Sequence, residues 1–584
     1  MKKFLSVLLI AVMMITGSLA AAESGYTAGT YTASAKGYID QVAVSVTFSG
    51  EKIESIEVTD ARETPGIGSV ALEELSKAIV NAQSLAVDIY AGATFSSKAI
   101  LEAVENCVVQ AGGDVEALKV KDDKAEIAPA EDVTADFIII GGGAAGLTAG
   151  IHAAYNGVED IILLEKMPQC GGSTAMSGGV MTRPAIEGDP EGTMTADEML
   201  EYFRSFKGNP DDEMLKLYVN NSPADWLWFT SLEGGENTHM FHNTPENVYS
   251  TSPDGGGVGV INTLMKEAEK NGVDIRVKHD AQKLIQAEDG TILGVTVINA
   301  DGAQQNFYGD AVLIATGGFA NSRELLERFA GNFAAEGVEM KGHAAANGDG
   351  IIMGEEVGAA LHFGDAWDTS GMNNVWMSGF STYTMQFPSI MVNDEGDRFV
   401  REDYMYPRIY EAMVCDQLNA GHTGGFWIIL NDTFYENGTA TAEDVAKAVE
   451  KGEIFRCETI EDIAAVTNLP VENLKSTITE YVAMGTEDTE FGKNPEFMGK
   501  ISAEGPFYVA PTHPVRSGTM GGLLINTKAE VLDKEGNPIP HLLAAGQTAN
   551  GSFYDNYYYI CGNNVMYAIV TGHVAGETAA ALAK

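Results

Sequence analysis

The chain has 584 residues, too many for a single hydrophobic core, so we expect it to fold as several domains. Its 36 basic and 82 acidic residues give a net charge of −46, which argues against nucleic acid or an anionic membrane surface as a partner, because the field repels phosphate. The 45% hydrophobic fraction and 65 glycines are typical of a loop-rich α/β enzyme, and five cysteines without a Cys-x-x-Cys spacing argue against haem, iron–sulfur and other metal sites.

The N-terminus predicts an exported protein. Lys2 and Lys3 precede an apolar run from Phe4 to Ile15, and small residues follow up to Ala22. A positive start, a short apolar segment and small residues at a cleavage site are typical of a secretory signal peptide. The run is shorter than the ~20 residues that a membrane-spanning helix needs. We therefore expect residues 1–22 to export the chain to the periplasm or cell surface, with an uncleaved anchor as the alternative.

Residues 23–120 predict a small α+β domain. Residues 41–48 alternate apolar and polar side chains as a half-buried strand does, and helical periodicity follows at residues 71–82 and 97–110. Residues 121–134 are rich in charge, alanine and proline without an apolar period, and we expect a linker there.

Two motifs in this domain indicate a flavin. Residues 88–94 (DIYAGAT) and 63–68 (ETPGIG) resemble the FMN-binding domain family, although alanine is the fourth residue of the first run where serine or threonine is usual. The resemblance implies FMN joined by its phosphate to the hydroxyl of Thr94, and a flavin transferase as the partner that attaches it. Ser96 or Ser97 is an alternative acceptor, and a helix-capping turn without flavin is the alternative for the motif.

A dinucleotide-binding turn opens the next domain. The apolar strand 137–140 leads into Gly141, Gly143 and Gly146, which are spaced for a tight turn, a close approach of the backbone to a pyrophosphate, and packing of helix on strand. Glu165 ends the following strand about twenty residues later, where a carboxylate accepts hydrogen bonds from ribose hydroxyls. Together these features predict a dinucleotide site.

Six further motifs follow in chain order: 171–179 (GGSTAMSGG), 315–318 (ATGG), 348–350 (GDG), 398–400 (RFV), 519–522 (TMGG) and 544–546 (AAG). With them, residues 135–584 resemble the flavoprotein family of fumarate reductases and succinate dehydrogenases, which includes urocanate reductases and ketosteroid dehydrogenases. The resemblance implies an α/β fold: a discontinuous, doubly wound FAD-binding domain with an inserted α+β cap domain at roughly 180–300 and 355–505, preceded by the small α+β FMN-binding domain.

The same resemblance implies that FAD is bound non-covalently. The final helix is expected to direct its N-terminus at the flavin, where it stabilises the anionic reduced ring. Gln547 stands where relatives usually carry glutamate. The residues expected to contact FAD are Gly141, Gly143, Ala145, Gly146, Glu165, Gly172, Ser173, Thr174, Gly178, Gly179, Thr316, Gly317, Asp349, Gly546, Gln547 and Gly562.

The cap residues argue against a dicarboxylate substrate. Dicarboxylate-reducing relatives clamp fumarate with two histidines and an arginine, and those positions fall here on Ser370, Ser517 and Ile560. Each charge-assisted bond lost is worth ~1.5–3 kcal/mol, so fumarate is not the expected substrate. The position of the family's proton donor falls on Tyr406, with Arg408 two residues beyond.

Tyrosines dominate what remains. Tyr558 and Gly562 have the Tyr-x-x-x-Gly spacing that resembles the ketone-binding pair of ketosteroid dehydrogenases, in which a tyrosine also occupies the position of Tyr406. The resemblance implies that Tyr558 polarises a carbonyl, that Tyr406 or Arg408 exchanges a proton, and that Asp368 relays it. A tyrosine cluster that only packs the cap is the alternative.

Four other cationic residues are weaker candidates. Arg401, Arg516 and His513 could bind a carboxylate or donate the proton, with a solvated charge as the alternative for each. For Arg398 we expect a structural or flavin-adjacent role.

These observations predict an exported FAD-dependent oxidoreductase that acts on CH–CH groups. We expect electrons from a membrane or extracellular donor to pass from FMN to FAD and to reduce an activated C=C bond in a small α,β-unsaturated carboxylate or enone, of the urocanate, cinnamate or enone type. The alternatives are a ketosteroid-type dehydrogenase that runs in the oxidative direction, a non-catalytic electron-transfer flavoprotein, and an oxidase.

Overall fold

The computed structural model describes residues 25–583, except 38–39, 62, 64–67, 88–93, 121–127, 207, 244–247, 330–338, 341, 364–375, 378–379, 382–387, 404–408, 410–411, 414, 417–424, 433–440, 517 and 556–557. The chain divides between residues 124 and 125 into two compact units.

The first unit is a three-stranded antiparallel sheet covered by helices. Its strands have the order β1-β2-β3, and alternate side chains of β2, among them Val42, Val44, Val46 and Phe48, are buried against the helices. The polar residues between them face the other side, as the alternating sequence predicts. Its elements are β1 (Gly29–Lys36), β2 (Gln41–Phe48), β3 (Ile53–Ala61), α1 (Gly68–Ala82), α2 (Thr94–Gln110) and α3 (Val115–Leu118).

The second unit contains the remaining elements. Its helices are α4 (Ala144–Tyr155), α5 (Gly172–Met176), α6 (Ala196–Arg204), α7 (Asp212–Ser231), α8 (Gly256–Lys270), α9 (Arg323–Phe329), α10 (Asp349–Glu356), α11 (Ala442–Glu450), α12 (Ile460–Thr467), α13 (Val471–Met484), α14 (Gly551–Tyr554) and α15 (Asn563–Leu582). Its strands are β4 (Val133–Ile140), β5 (Ile161–Glu165), β6 (Met181–Thr182), β7 (Asn237–Asn243), β8 (Val248–Pro253), β9 (Asp274–Val277), β10 (Asp280–Gln286), β11 (Ile292–Ile298), β12 (Gln304–Ile314), β13 (Glu339–Met340), β14 (Leu361–His362), β15 (Trp376–Met377), β16 (Phe380–Ser381), β17 (Ile390–Val392), β18 (Phe426–Leu430), β19 (Phe455–Cys457), β20 (Phe507–Thr512), β21 (Val515–Arg516), β22 (Gly522–Leu523), β23 (Glu530–Leu532) and β24 (Pro538–Ala544).

An eight-stranded sheet forms the centre of this unit. Its strands run in the order β10-β11-β12-β4-β5-β9, and β24 joins β12 and pairs with β23. The strands β24, β12, β4, β5 and β9 are parallel, so their carboxyl ends meet along one edge. In open α/β sheets that edge is where ligands bind.

Helix α15 is the core helix of the sheet domain. By length and composition it is apolar enough to cross a membrane, but 61% of that stretch is buried inside the protein. It packs on α4 and α7. Burial on several sides explains why this helix is apolar all round.

The cap predicted from the sequence needs one correction. Strands β9, β10 and β11, which fall inside the predicted first segment 180–300, pair into the central sheet. The helices before them bury Phe203, Tyr218 and Leu264 in the same hydrophobic core as that sheet. A separate core, extending from Ile390 to Ala510, lies within the second predicted segment, 355–505, and runs slightly past its end. That body is built on the four-stranded sheet β17-β18-β20-β19. In the described chain, therefore, only the second segment forms a body with its own core.

Candidate active site

The predicted glycine turn lies between β4 and α4 and fits a pyrophosphate. Gly141 has φ +112°, and a Cβ there would lie 2.4 Å from the carbonyl oxygen of Ala315. A Cβ at Gly146 would lie 2.0 Å from the carbonyl oxygen of Gly141, so only glycine lets the helix pack this closely. At Gly143, by contrast, a Cβ would meet no atom of the described residues within 4 Å.

The open space at Gly143 adjoins the start of α4. Gly143 is the N-cap residue and has no side chain to satisfy the first backbone N–H groups of the helix. Such a helix end attracts an anion through its N–H groups and dipole. Ala145 in this first turn is buried, and a Cβ on Gly546 would lie 2.9 Å from its Cβ, so α4 also supports the turn that follows β24.

Glu165 holds the glycine turn from the neighbouring strand. Its two carboxylate oxygens each accept a backbone hydrogen bond at 2.7 Å, one from Gly142 and one from Met167. Burial raises the pKa of this carboxyl, and the two backbone donors act in the opposite direction. A carboxylate has about four acceptor sites, so these bonds leave capacity for the predicted ribose hydroxyls.

A cavity of about 310 Å³, at the lower end of the range for small-molecule sites, lies beside Lys166, the residue after Glu165. Its lining includes Lys166 and Asp349, which form an ion pair at 2.5 Å, together with Asp280 and Gln282. Asp349 begins α10 and was predicted to hold part of FAD. Lys166, Asp280 and Gln282 were not predicted, although Lys166 directly follows Glu165 at the end of a strand and could have been inferred from that position.

The glycine-rich run 171–179 forms a tight structure against the start of α8. Gly171 and Gly172 both have positive φ, and Ser173 and Thr174 lie half-buried in α5. Gly179 has φ +65°, and a Cβ there would lie 2.3 Å from the backbone of Gly256. Gly178, next to it, is exposed.

The ends of β12 and β24 converge on the same edge. Thr548 donates a hydrogen bond to the carbonyl of Gly317 at 2.7 Å and lies 3.2 Å from the hydroxyl of Thr316. Gly546 has φ +70°, and its N–H donates to Thr571 at 2.9 Å. The amide of Gln547 donates to the carbonyl of Thr519 at 3.1 Å, so glutamine takes a structural contact at the position where glutamate is usual.

The predicted ketone-binding pair lies at the start of α15. The backbone N–H of Gly562, the N-cap residue, donates to the hydroxyl of Tyr558 at 3.1 Å. Gly562 has φ +90°, and a Cβ there would lie 2.7 Å from Val180 and 2.8 Å from the hydroxyl of Thr182. The two groups that the sequence paired by spacing therefore meet in space.

A hydrogen-bonded network fixes this corner. Thr182 donates to the carbonyl of Cys561 at 2.6 Å. The hydroxyl of Tyr218 donates to the carbonyl of Thr182 and accepts from the side chain of Asn563 at 2.8 Å. Tyr218 and Asn563 were not predicted, because they lie 345 residues apart and only the fold brings them together.

Two of the cationic candidates, Arg398 and Arg401, are in ion pairs. Arg398 is buried and bonds both Glu402 and Asp488 at 2.7 Å, which gives it a structural role. Arg401 pairs with Asp403 at 2.6 Å. His513 is half-buried, and the side chain of Arg516 lies outside the described residues.

Several predicted residues cannot be placed. Tyr406, Arg408 and Asp368 lie outside the described residues, as do Ser370 and Ser517. Helix α2 begins at Thr94, whose side chain is not described, and Ser96 and Ser97 are both buried in its first turn.

The fold and the site define a flavin-dependent oxidoreductase. The family description "FAD binding domain" matches residues 136–565, and "FMN-binding domain" matches residues 37–109. The chain therefore belongs to the FAD binding domain family, and it also contains an FMN-binding domain. The predicted enzyme class, an FAD-dependent oxidoreductase, and the predicted fold class are confirmed.

Individual relatives agree with this family. The chain is 29% identical to the NADH:acrylate oxidoreductase of Vibrio harveyi over 95% of its own length, but it spans only 62% of that protein. It is 29% identical to the urocanate reductase of Eggerthella lenta, covering 97% of this chain and 95% of the relative. Among solved structures, the open conformation of a flavocytochrome c3 fumarate reductase superposes with a TM-score of 0.62 at 26% identity, over 78% of this chain and 79% of that one.

Proposed function

We propose that the protein is an exported two-flavin reductase of an activated C=C bond in a small α,β-unsaturated carboxylate or enone. Electrons reach the substrate by way of FMN, joined to Thr94, and non-covalent FAD. Both cofactor domains are present. Two relatives that align with nearly the whole chain are the NADH:acrylate oxidoreductase and the urocanate reductase named above. Urocanate-type, cinnamate-type and enone substrates each combine a conjugated C=C bond with a carbonyl that the site can polarise.

The contact between Gly562 and Tyr558 is the observation that carries this proposal. The Gly562 N–H donates to the phenol, and hydrogen bonds in a chain polarise one another, so the accepted bond makes Tyr558 a stronger donor. We infer that Tyr558 donates directly to the substrate carbonyl. The Gly562 N–H then acts through Tyr558, rather than by a hydrogen bond of its own to the carbonyl. Their position at the N-terminus of α15 adds the positive end of the helix dipole.

This arrangement suits an enolate. FAD bound in the site and reduced by electrons from FMN would supply a hydride to the β-carbon of the substrate. Negative charge then develops on the carbonyl oxygen, where a preorganised donor such as Tyr558 stabilises it. We propose that Tyr406 or Arg408 protonates the α-carbon, with Asp368 as the relay.

A dicarboxylate fits the described residues poorly. Ile560, at one of the three clamp positions of fumarate-reducing relatives, is fully buried and apolar. Arg398 and Arg401 are paired with carboxylates of the cap. A second carboxylate of the substrate would thus lose charge-assisted bonds of ~1.5–3 kcal/mol each.

The same geometry also favours a second candidate, a dehydrogenase of saturated ketones. A phenol that stabilises an enolate does so in both directions of the reaction, because the two directions share one transition state. The direction must therefore be measured.

An anaerobic assay with reduced viologen separates the candidates. We expect an aryl acrylate, urocanate or an enone to be reduced at least about tenfold faster than fumarate, which corresponds to one lost charge-assisted bond. Faster turnover of a saturated ketone with an oxidising dye would favour the dehydrogenase. Fumarate as the best substrate would contradict the proposal, and turnover in neither direction would leave an electron-transfer protein.

Gly143→Val is the matched control for that assay. A Cβ at position 143 would meet no described protein atom within 4 Å, so the fold should persist, but the valine side chain would extend into the space assigned to the pyrophosphate. We expect FAD absorbance and turnover to be lost together. Full FAD content in this variant would contradict the assigned phosphate site.

Export and covalent attachment are separate proposals. The first rests on residues 1–22, and N-terminal mass determination of the secreted chain tests it. The second rests on the motif at 88–94, and the intact mass of the chain co-expressed with a flavin transferase should include one FMN that Thr94→Ala abolishes. A membrane or extracellular donor would supply the electrons.

A further inference from the structure

A buried carboxylate in the first unit, which contains the FMN-binding domain, contacts the first turn of α2. Glu63 is 9% exposed and Ser96 is 2% exposed, and the Ser96 hydroxyl donates to a carboxylate oxygen of Glu63 at 2.5 Å. The bond joins two residues that lie 33 positions apart. It ties the segment before α1 to the turn that begins with Thr94.

Two glycines make room for this contact. A Cβ at Gly37 would lie 2.2 Å from a carboxylate oxygen of Glu63. A Cβ at Gly68 would lie 2.8 Å from both the Cβ of Glu63 and the hydroxyl of Ser96. A residue larger than glycine at position 37 or 68 would therefore occupy the space that the carboxylate and the hydroxyl fill. All four residues fall within the span 37–109 that matches the FMN-binding domain.

The bond also restricts which hydroxyl can accept a flavin. Ser96 directs its hydroxyl hydrogen at Glu63, and Ser97 is fully buried, so neither presents its hydroxyl to a second protein. A carboxylate fixed beside the start of a helix is stabilised there by the N–H groups and dipole of the first turn. A hydrogen bond to an ionised acceptor is about twice as strong as a neutral one, which makes this contact a firm anchor.

We propose that Glu63 and Ser96 are positioning residues for flavin attachment: their hydrogen bond fixes the first turn of α2 so that Thr94 is presented to the flavin transferase. The inference rests on the proposed acceptor Thr94. In the attachment, the Thr94 oxygen bonds to the phosphorus of the FMN half of FAD, and the phosphoanhydride bond breaks. AMP leaves with the electron pair, and the hydroxyl proton passes to the transferase or to water, without oxidation or reduction.

Attachment to the purified full-length chain tests the inference. The folded chain is incubated with FAD and a limiting amount of transferase, and the fraction that gains one FMN is followed by intact mass. We expect Ser96→Ala and Glu63→Ala to slow attachment about tenfold or more, since each removes a charge-assisted bond. Glu63→Gln keeps an acceptor and should restore the rate to within about threefold of the wild type, because a neutral bond retains about half the free energy of the charge-assisted one.

Ser76→Ala is the matched control. Its hydroxyl is also buried and bonds the carbonyl of Leu72 within α1, so the variant loses a comparable bond away from α2. It should attach FMN at the wild-type rate. Thermal unfolding of each variant shows whether slow attachment follows lost stability. If the role were merely structural, Ser76→Ala and Ser96→Ala with the same loss of Tm would attach FMN equally slowly.

The failures are distinguishable. Two results would overturn the positioning role while Thr94 stays the acceptor. The first is attachment of FMN to Ser96→Ala at the rate of Ser76→Ala, and the second is attachment to Glu63→Gln as slow as to Glu63→Ala. Absence of FMN from the wild type, or its persistence in Thr94→Ala, overturns the acceptor and this inference with it.

Discussion

The cap body is built on the sheet β17-β18-β20-β19, and the FAD-binding domain is built on the eight-stranded sheet. The two bury polar groups in opposite ways. The cap core holds a cluster of full charges: Arg398 bonds Glu402 and Asp488, and Lys493 lies 3.4 Å from Glu402. Beside the start of α15, the FAD-binding domain holds tyrosines instead. Tyr559 donates to the carbonyl of Phe553 at 2.8 Å.

The protonation states follow from these surroundings. In the cap, burial alone would raise the pKa of Asp488, but hydrogen bonds from Arg398 and from backbone N–H groups lower it well below the usual range. In the flavin domain, burial raises the pKa of Tyr218, Tyr559 and Tyr567 far above the usual value. Asp488 and Arg398 therefore stay ionised, and these three tyrosines stay neutral.

This difference indicates what the site can bind. Among the described residues, the buried charges of the cap are engaged by one another, while hydroxyl and backbone donors lie at the start of α15. Neutral donors polarise a carbonyl without demanding a charged partner, and a buried unpaired charge would be costly there. The comparison therefore favours a carbonyl over a dicarboxylate, and four variants test it.

Breaking the cap cluster should have the largest effect. Arg398→Ala leaves the carboxylates of Glu402 and Asp488 buried without their guanidinium, and losing one partner of a buried ion pair typically costs ~3–5 kcal/mol. Thermal and urea unfolding should show this loss. Lys447→Ala, in α11 of the same body, is the control, since Lys447 and its partner Glu443 are both exposed and such surface pairs add little stability. Equal stability losses in the two variants would contradict the assigned role of the cluster.

Removing one hydroxyl from the flavin domain should act on chemistry instead. Tyr558→Phe deletes the group that meets the N–H of Gly562, and loss of one such donor lowers turnover by ~10²–10³-fold. FAD content should stay near that of the wild type, and the free energy of unfolding should fall by only about 1 kcal/mol, the contribution of one neutral hydrogen bond. Steady-state kinetics with the best substrate from the viologen assay measures the loss. Turnover within about threefold of the wild type would remove Tyr558 from the site.

The sequence was sufficient to predict the cofactor turns, because their geometry is local. Gly141 and Gly146 are required by contacts within a few residues or with the adjacent strand, and such requirements appear directly as spacing. Tyr558 and Gly562 were paired through the resemblance of their spacing to ketosteroid dehydrogenases, and the structure brings the two groups within hydrogen-bond distance.

The layers of the fold could not be predicted in the same way. Helices α6 to α8 have apolar faces that would suit a cap or a core, and their partners α4 and α15 are remote in sequence. Arg398 and Asp488 lie 90 residues apart, so their ion pair left no signal in the spacing. Glu165 was predicted to bind ribose, and its bond to Gly142 was found only in the structure.

A third variant tests a charged cluster formed by residues of α4, α7 and α15. His152 stacks on His573 at 3.9 Å, and His573 pairs with Asp225 at 2.6 Å and Glu577 at 3.3 Å. Burial and the adjacent charge lower the pKa of His152 to about 3, while Asp225 and Glu577 outweigh burial and raise that of His573. Glu267 of α8 reaches the cluster through the hydroxyl of Tyr155.

The sign of the pH effect follows from His152. An unfolded histidine titrates near pH 6.5, so below that pH the unfolded state binds more protons and stability falls until about pH 3. Between pH 7 and pH 5, His152→Phe should therefore lose about 2 kcal/mol less of its unfolding free energy than the wild type does. Unfolding free energies at the two pH values measure this difference. Equal losses in variant and wild type would place the acid sensitivity elsewhere.

The smallest effect is expected for the tyrosine next to Tyr558. Tyr559 is buried, its hydroxyl donates to the carbonyl of Phe553, and its ring stacks on Phe203. Tyr559→Phe keeps the stacking and removes one neutral hydrogen bond, so it should cost about 1 kcal/mol in the free energy of unfolding. Turnover should stay within about twofold of the wild type, since this hydroxyl is committed to the backbone. Because Tyr558 and Tyr559 are adjacent in the chain, equal losses of turnover in their two phenylalanine variants would mean that the tyrosines act by packing alone, and the distinction between a catalytic donor and a structural one would fail.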